Sequence, residues 1–409
     1  MFHNRYSRAV ACHAFSILIL LILLSPQAGY AQTSDDQQRL KKQLEEFVHQ
    51  QNYVGALPVL EKLLVYEPNN PDLYFYLGFA ELAKGQITAD SGERKALRIR
   101  ARNTFLRAKE LGNTQTVLDA LIQSLPLDGS DGPAFTQNKE ANDLMNQAEA
   151  SFSQGKLDDA LAGYRKALQL DPKLYHAALF SGDVYTQQGN FAQAEIWYQK
   201  AIAIDPNKET AYRYSATPLM RQQKYDQARD RYVEALIVEP YSKFAAAGLA
   251  QWAQQTKTIL AHPAIDIPTN VAFDEKGDVK ATLSDATLRG GHDDGSFAWI
   301  SYGATRSLWH KSKFARTFPN ETTYRHSLAE EVDALHAVLS LASSDQQAKS
   351  VSPSLAKLKE LSDQGLLEAY ILLAKADAGI SQDYPAYLKY NRDKLRTYVV
   401  RYFVTGGGK

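Results

Sequence analysis

Cysteine is all but missing from these 409 residues, and the single one, Cys12, sits in the opening segment. The remainder therefore has no disulfide framework, no thiolate metal site and no thiol nucleophile. Net charge is missing too, with 46 Lys and Arg against 46 Asp and Glu. A balanced chain does not invite nucleic acid, and it carries no polybasic patch for a membrane. There is no G-x-S-x-G, no H-E-x-x-H and no phosphate-cradling glycine loop.

Long apolar runs are almost absent. The one exception is "AFSILILLILL" (14–24), eleven residues preceded by Arg5 and Arg8. It is short for a bilayer span. Small residues at Gly29 and Ala31 suit signal peptidase, so residues 1–31 read as a signal peptide cleaved before Gln32. Retention as an anchor is the alternative. Losing both arginines leaves 44 basic against 46 acidic side chains. The expected product is soluble and exported, periplasmic or secreted, with a core large enough to hold without disulfides.

What the chain does have is a period. Pro172, Pro206 and Pro240 are spaced by 34, and Ala160/Ala194/Ala228, Tyr164/Tyr198/Tyr232 and Ala167/Ala201/Ala235 recur with them. These small–large–small positions let paired helices approach closely. Each unit carries apolar stripes on two helices, and one pair cannot bury both faces, so the units must stack. The proline ends the second helix of each. This pattern resembles the tetratricopeptide repeat family, of the exported bacterial type. Leu144 and Ala178 replace the family's first-helix aromatic, which is kept at Tyr212, and Pro218 is expected to kink its helix. A weaker copy ends at Pro68. In the unit after it, the insertion "ITADSGERKAL" falls at the turn.

The resemblance implies a concave groove that holds a protein or peptide partner. By register its positions are Met145, Glu149 and Phe152, then Leu179, Asp183 and Thr186, then Arg213, Thr217 and Met220. Each trio has the spacing of one helix face. Contact of some of these residues with the C-terminal domain is the competing reading.

Beyond the repeats, "DEKGD" between alternating segments at 265–285 predicts a β-hairpin. Helices are expected at 296–313, 323–342, 353–363, 366–378 and 385–403. In "RGGHDDGSFAWISYGATRSLW" (289–309), Asp294 or Ser296 reads as a helix cap. The helix it opens is apolar on two sides, which points to a sandwiched helix. If its Trp299, Tyr302, Arg306 and Trp309 side is open instead, it suits a sugar ring or a peptide. In "YRHSLAEEVDALH" the charged residues His326, Glu330 and Asp333 are placed on the solvated face, opposite Tyr324, Leu328, Val332, Leu335 and Leu339.

The sequence thus predicts a mainly α protein: a tetratricopeptide-type helical solenoid followed by a small C-terminal domain with a β-hairpin and several helices. The expected segments are a signal peptide (1–31), degenerate repeats (32–125), a linker (126–137), three repeats with a capping helix (138–256) and a C-terminal domain (257–409). The expected function is a non-catalytic scaffold or adaptor without cofactor or metal. Two rivals stand beside it. One is an envelope assembly factor meeting exported polysaccharide through the aromatic side. The other is a hydrolase or metal enzyme built from His292, Asp293, Asp294 and the 326–336 helix.

Overall fold

The computed structural model describes residues 31–130, 134–267, 269–273, 279–283, 294–344 and 350–404. Residues 1–30 of the signal segment, His292 and Asp293 lie outside this set. The chain divides into two compact units. One is Met1–Ala235 with Tyr241–Gly248, and the other is Leu236–Pro240 with Leu249–Lys409.

The first unit is built from helical pairs. They are α1 (Ala31–His49) with α2 (Tyr53–Tyr66), α3 (Pro71–Ile87) with α4 (Ser91–Glu110), α6 (Lys139–Ser153) with α7 (Leu157–Leu170), and α8 (Tyr175–Gln187) with α9 (Phe191–Ile204). The short α5 (Leu118–Ser124) stands between the two series. A further pair, α10 (Glu209–Arg221) and α11 (Tyr225–Val238), precedes α12 (Lys243–Thr256). Part of the insertion joins α4 instead of lengthening the turn, because Asp90 caps the helix early by accepting from the Glu93 N–H at 2.7 Å. Helix α10 runs through Pro218 and ends three residues later. A proline there costs only a last-turn hydrogen bond.

The period fixes both packing and turns. Ala160, Ala194 and Ala228 are fully buried, as are Ala167, Ala201 and Ala235. At Gly182 an added Cβ would stand 2.6 Å from the Tyr198 ring, so only glycine lets α8 and α9 approach this closely. In four of the five pairs the inner turn uses a left-handed residue. Gly155 (φ +72°) and Gly189 (φ +74°) supply it without strain, whereas Gln51 (φ +53°) and Gln223 (φ +58°) hold the same place before Pro68 and Pro240. Gln223→Gly is therefore expected to stabilise the protein by about 1 kcal/mol, seen as a higher denaturant midpoint at unchanged slope.

The second unit contains a short antiparallel strand pair, β1 (Thr269–Phe273) and β2 (Val279–Leu283), with Val271 opposite Ala281. Its main helices are α13 (Ile300–Leu308), α15 (Leu328–Ser344), α16 (Pro353–Asp363) and α18 (Tyr384–Tyr398), with the one-turn helices α14 (Phe314–Thr317) and α17 (Leu367–Tyr370) among them. Three π-helical segments extend them, at Trp309–Lys313, Ile371–Lys375 and Val399–Phe403. At the turn before α13 neither Asp294 nor Ser296 is the cap: left-handed Gly295 holds that place, and Asp294 closes the turn ahead of it by accepting from the Ser296 N–H at 2.9 Å.

Candidate functional site

The groove positions do not form an open groove. Met145, Glu149, Phe152, Leu179, Asp183, Thr186, Arg213 and Thr217 are all buried, and Met220 alone of the nine is partly exposed. Met145, Phe152 and Leu179 belong to the same apolar cluster as Tyr164 and Tyr198. Glu149, Asp183, Thr186 and Arg213 are tied within the repeats. The Tyr164 hydroxyl donates to Glu149 at 2.5 Å, and one repeat later the Tyr198 hydroxyl donates to Asp183 at 2.6 Å. Thr186 shares a 2.9 Å hydrogen bond with the same Tyr198 hydroxyl. The first two motif tyrosines thus bond the acid 15 residues before them, and Thr217 holds that place before Tyr232. Burial pushes the Asp183 carboxyl well above the usual carboxylate range.

Arg213 is held by Glu209 through two hydrogen bonds, at 2.7 and 3.0 Å, and lies over the Tyr214 and Phe244 rings. Burial works against its charge, but the Glu209 carboxylate more than offsets this and raises the guanidinium's pKa. Other contacts draw the two helical series of this unit together. The Ser153 hydroxyl donates to the Gln86 side chain at 2.6 Å, α3 packs against α6, and Phe244 packs on the apolar cluster of the first series. A residue on a helix face that the family pattern leaves open is here closed over.

A cleft of about 460 Å³ does open in the first helical pair. From α1 come Gln43, Glu46, Phe47 and Gln50, and Gly55, Pro58 and Val59 complete it from α2. Gln43, Glu46, Gln50 and Pro58 are exposed, and Phe47 is half-buried. Two amides and a carboxylate at helical spacing beside an aromatic ring give hydrogen-bonding groups next to an apolar floor. Such a surface offers hydrogen-bonding and apolar contacts, and its lining has no acid–base pair for chemistry. No sequence signal marked it, because α1 and α2 belong to the most diverged pair.

In the second unit the aromatic side of α13 is not a surface. Trp299, Tyr302 and Trp309 are 1%, 5% and 2% exposed. The reason is α15, which turns acids toward them. Tyr302 donates to Glu331 at 2.7 Å, Arg306 to Glu330 at 2.8 Å and the Trp309 indole to Asp333 at 2.7 Å. Placing Glu330 on a solvated face is corrected by the same contacts, since Glu330 is fully buried and Glu331 is 3% exposed. Polar partners compensate their burial. Sequence spacing hid the network, as its partners lie 24 to 29 residues apart. Among the described residues no group of three or more His, Cys, Asp or Glu is placed to hold a metal ion. No helix among them is long and apolar enough to cross a membrane.

Comparison with known proteins gives one family match. Residues 145–209 match a family model described as tetratricopeptide repeat. No curated protein matches the chain. Similar solved structures include the first TPR domain of the human RPAP3 protein, 26% identical, covering 29% of this chain and 93% of that one with a TM-score of 0.27. The TPR2AB domain of yeast Sti1, in complex with pHSP90, is 14% identical over 55% of this chain and 99% of its own, with a TM-score of 0.28. Pseudomonas aeruginosa pilF is 16% identical over 55% and 91%, with a TM-score of 0.24.

Proposed function

From a chain that carries tetratricopeptide repeats, we propose a non-catalytic scaffold that binds a partner protein. The repeats are the observation that supports this. Stacked helical pairs of this kind serve as interaction modules, and the chemistry of their surfaces decides what they hold. We further propose that the partner is engaged at the α1–α2 cleft and not along the nine inner positions, most of which are spent on the repeat core. A short segment offering an apolar side chain to Phe47 and backbone groups to Gln43 and Gln50 fits the lining. The leader-like opening supports export to the periplasm or beyond, where such a scaffold would serve the cell envelope.

Affinity capture from the native envelope, using the wild type beside Glu46→Arg, tests both statements. Glu46 is exposed, so the fold is expected to survive, which circular dichroism checks. A partner retained by the wild type and lost by the variant supports the cleft. Equal retention by both removes the cleft and leaves the scaffold reading. A polysaccharide-binding role loses its motive, because the aromatic side assigned to it is packed against α15.

A further inference from the structure

Between α15 and the turn at 377–383 stands a histidine with a carboxylate on each side. His326 places Nδ1 2.8 Å from Oδ2 of Asp377 and Nε2 3.1 Å from Oε2 of Glu331. A neutral imidazole has one N–H, so one of these contacts would set lone pair against lone pair. Only the imidazolium, with two N–H groups, satisfies both. The turn itself is seated on this segment. Asp377 accepts from the N–H groups of Gly379 and Ile380, both at 2.9 Å. A Cβ at Gly379 would meet the His326 carbonyl at 2.4 Å, so the two backbones touch.

We propose that His326 is a proton-operated latch. As imidazolium it donates to Glu331 and Asp377 at once and tightens the 377–383 turn on the N-terminal end of α15; loss of one proton breaks one of these contacts and loosens the turn, which Arg325 and the Leu328 N–H still hold through Asp383. The groups that face it decide the balance. From α15, Glu331 favours the charged ring and is itself shared with Tyr302. From α13, Arg306 opposes it, while Arg306 is occupied by Glu330, which also accepts from Tyr324. From the turn, Asp377 favours it. Tyr370, at the end of α17, faces Glu331 without a charge. Neighbouring Arg325 is taken up by Glu321 and Asp383 and acts as the permanent tie, its Nη1 donating to the Gly379 carbonyl at 2.9 Å.

Burial alone would depress the imidazole's pKa, but the hydrogen bonds and charges of Glu331 and Asp377 bring it above the ordinary value. A raised folded-state pKa means the latch contributes fully below the ordinary imidazole value, about 6.5. That contribution is lost as pH rises through the raised value.

The test is a histidine ring titration by NMR on the full chain, with His326 assigned from the signal missing in His326→Gln. It is paired with amide exchange of residues 377–383 over the same pH range. Expected are a titration above the ordinary imidazole range and turn exchange that rises more steeply than first order in hydroxide across it. Amides of the repeat helices keep the first-order slope. In Asp377→Asn the titration moves down and the steep step disappears. A wild-type His326 already neutral at pH 6, or turn amides that keep the first-order slope throughout, overturns the proposal. Both readouts come from the wild type, so a variant that fails to fold does not spare it.

Discussion

Replacing Leu179 by alanine lowers the unfolding free energy by about 2–5 kcal/mol, the range for truncating a core leucine. Leu179 is 1% exposed and belongs to the apolar cluster formed with Tyr164, Phe180 and Tyr198. Truncation removes apolar area and leaves a void that close-packed repeats cannot fill, since their small positions already bring the helices to contact. Denaturant unfolding followed by far-UV circular dichroism measures it. A groove residue behaves differently: surface substitutions away from such features stay within about 0.5 kcal/mol. A loss that small would return Leu179, and with it Met145 and Phe152, to an open concave face. The expected large loss would show that Leu179 serves the fold.

Glu330→Ala is expected to be equally severe, at about 3–5 kcal/mol. Its carboxylate is fully buried and accepts from Arg306 and from Tyr324. Removing it leaves the Arg306 guanidinium, whose side chain is only 12% exposed, without its principal counter-charge. The cost is that of a stranded buried cation, more than that of one lost hydrogen bond. The control is the double variant Arg306→Met/Glu330→Leu. Replacing the whole pair by apolar side chains of similar size is expected to recover most of the loss. If the double variant is as unstable as Glu330→Ala, the cost is not that of a stranded cation, and the hydrogen bonds of the pair itself hold α13 to α15.

The two units differ in how much of them the sequence disclosed. In the repeats the determinants are local and periodic. Alanine at 160, 194 and 228, tyrosine at 164, 198 and 232, and proline at 172, 206 and 240 dictate which helices pair and where each ends. The left-handed turns keep the same register even where glutamine stands for glycine. In the second unit the determinants are remote. His326 meets Asp377, Arg306 meets Glu330, and Trp309 meets Asp333 across separations that have no period. The charged residues of α15 looked solvated because a helical wheel counts apolar side chains and does not see the donors that α13 brings to the other side.

By itself, the sequence determined the helical repeat, its 34-residue period and the small residues that allow close helix approach, because each follows from steric rules acting within one pair. It did not determine which faces stay open. That was decided by the tertiary structure, which closed the inner positions into the repeat core, buried the α13 aromatics against α15 and left a cleft at the α1–α2 pair. Exposure depends on what packs over a helix face, and a periodic pattern describes the face without describing its cover.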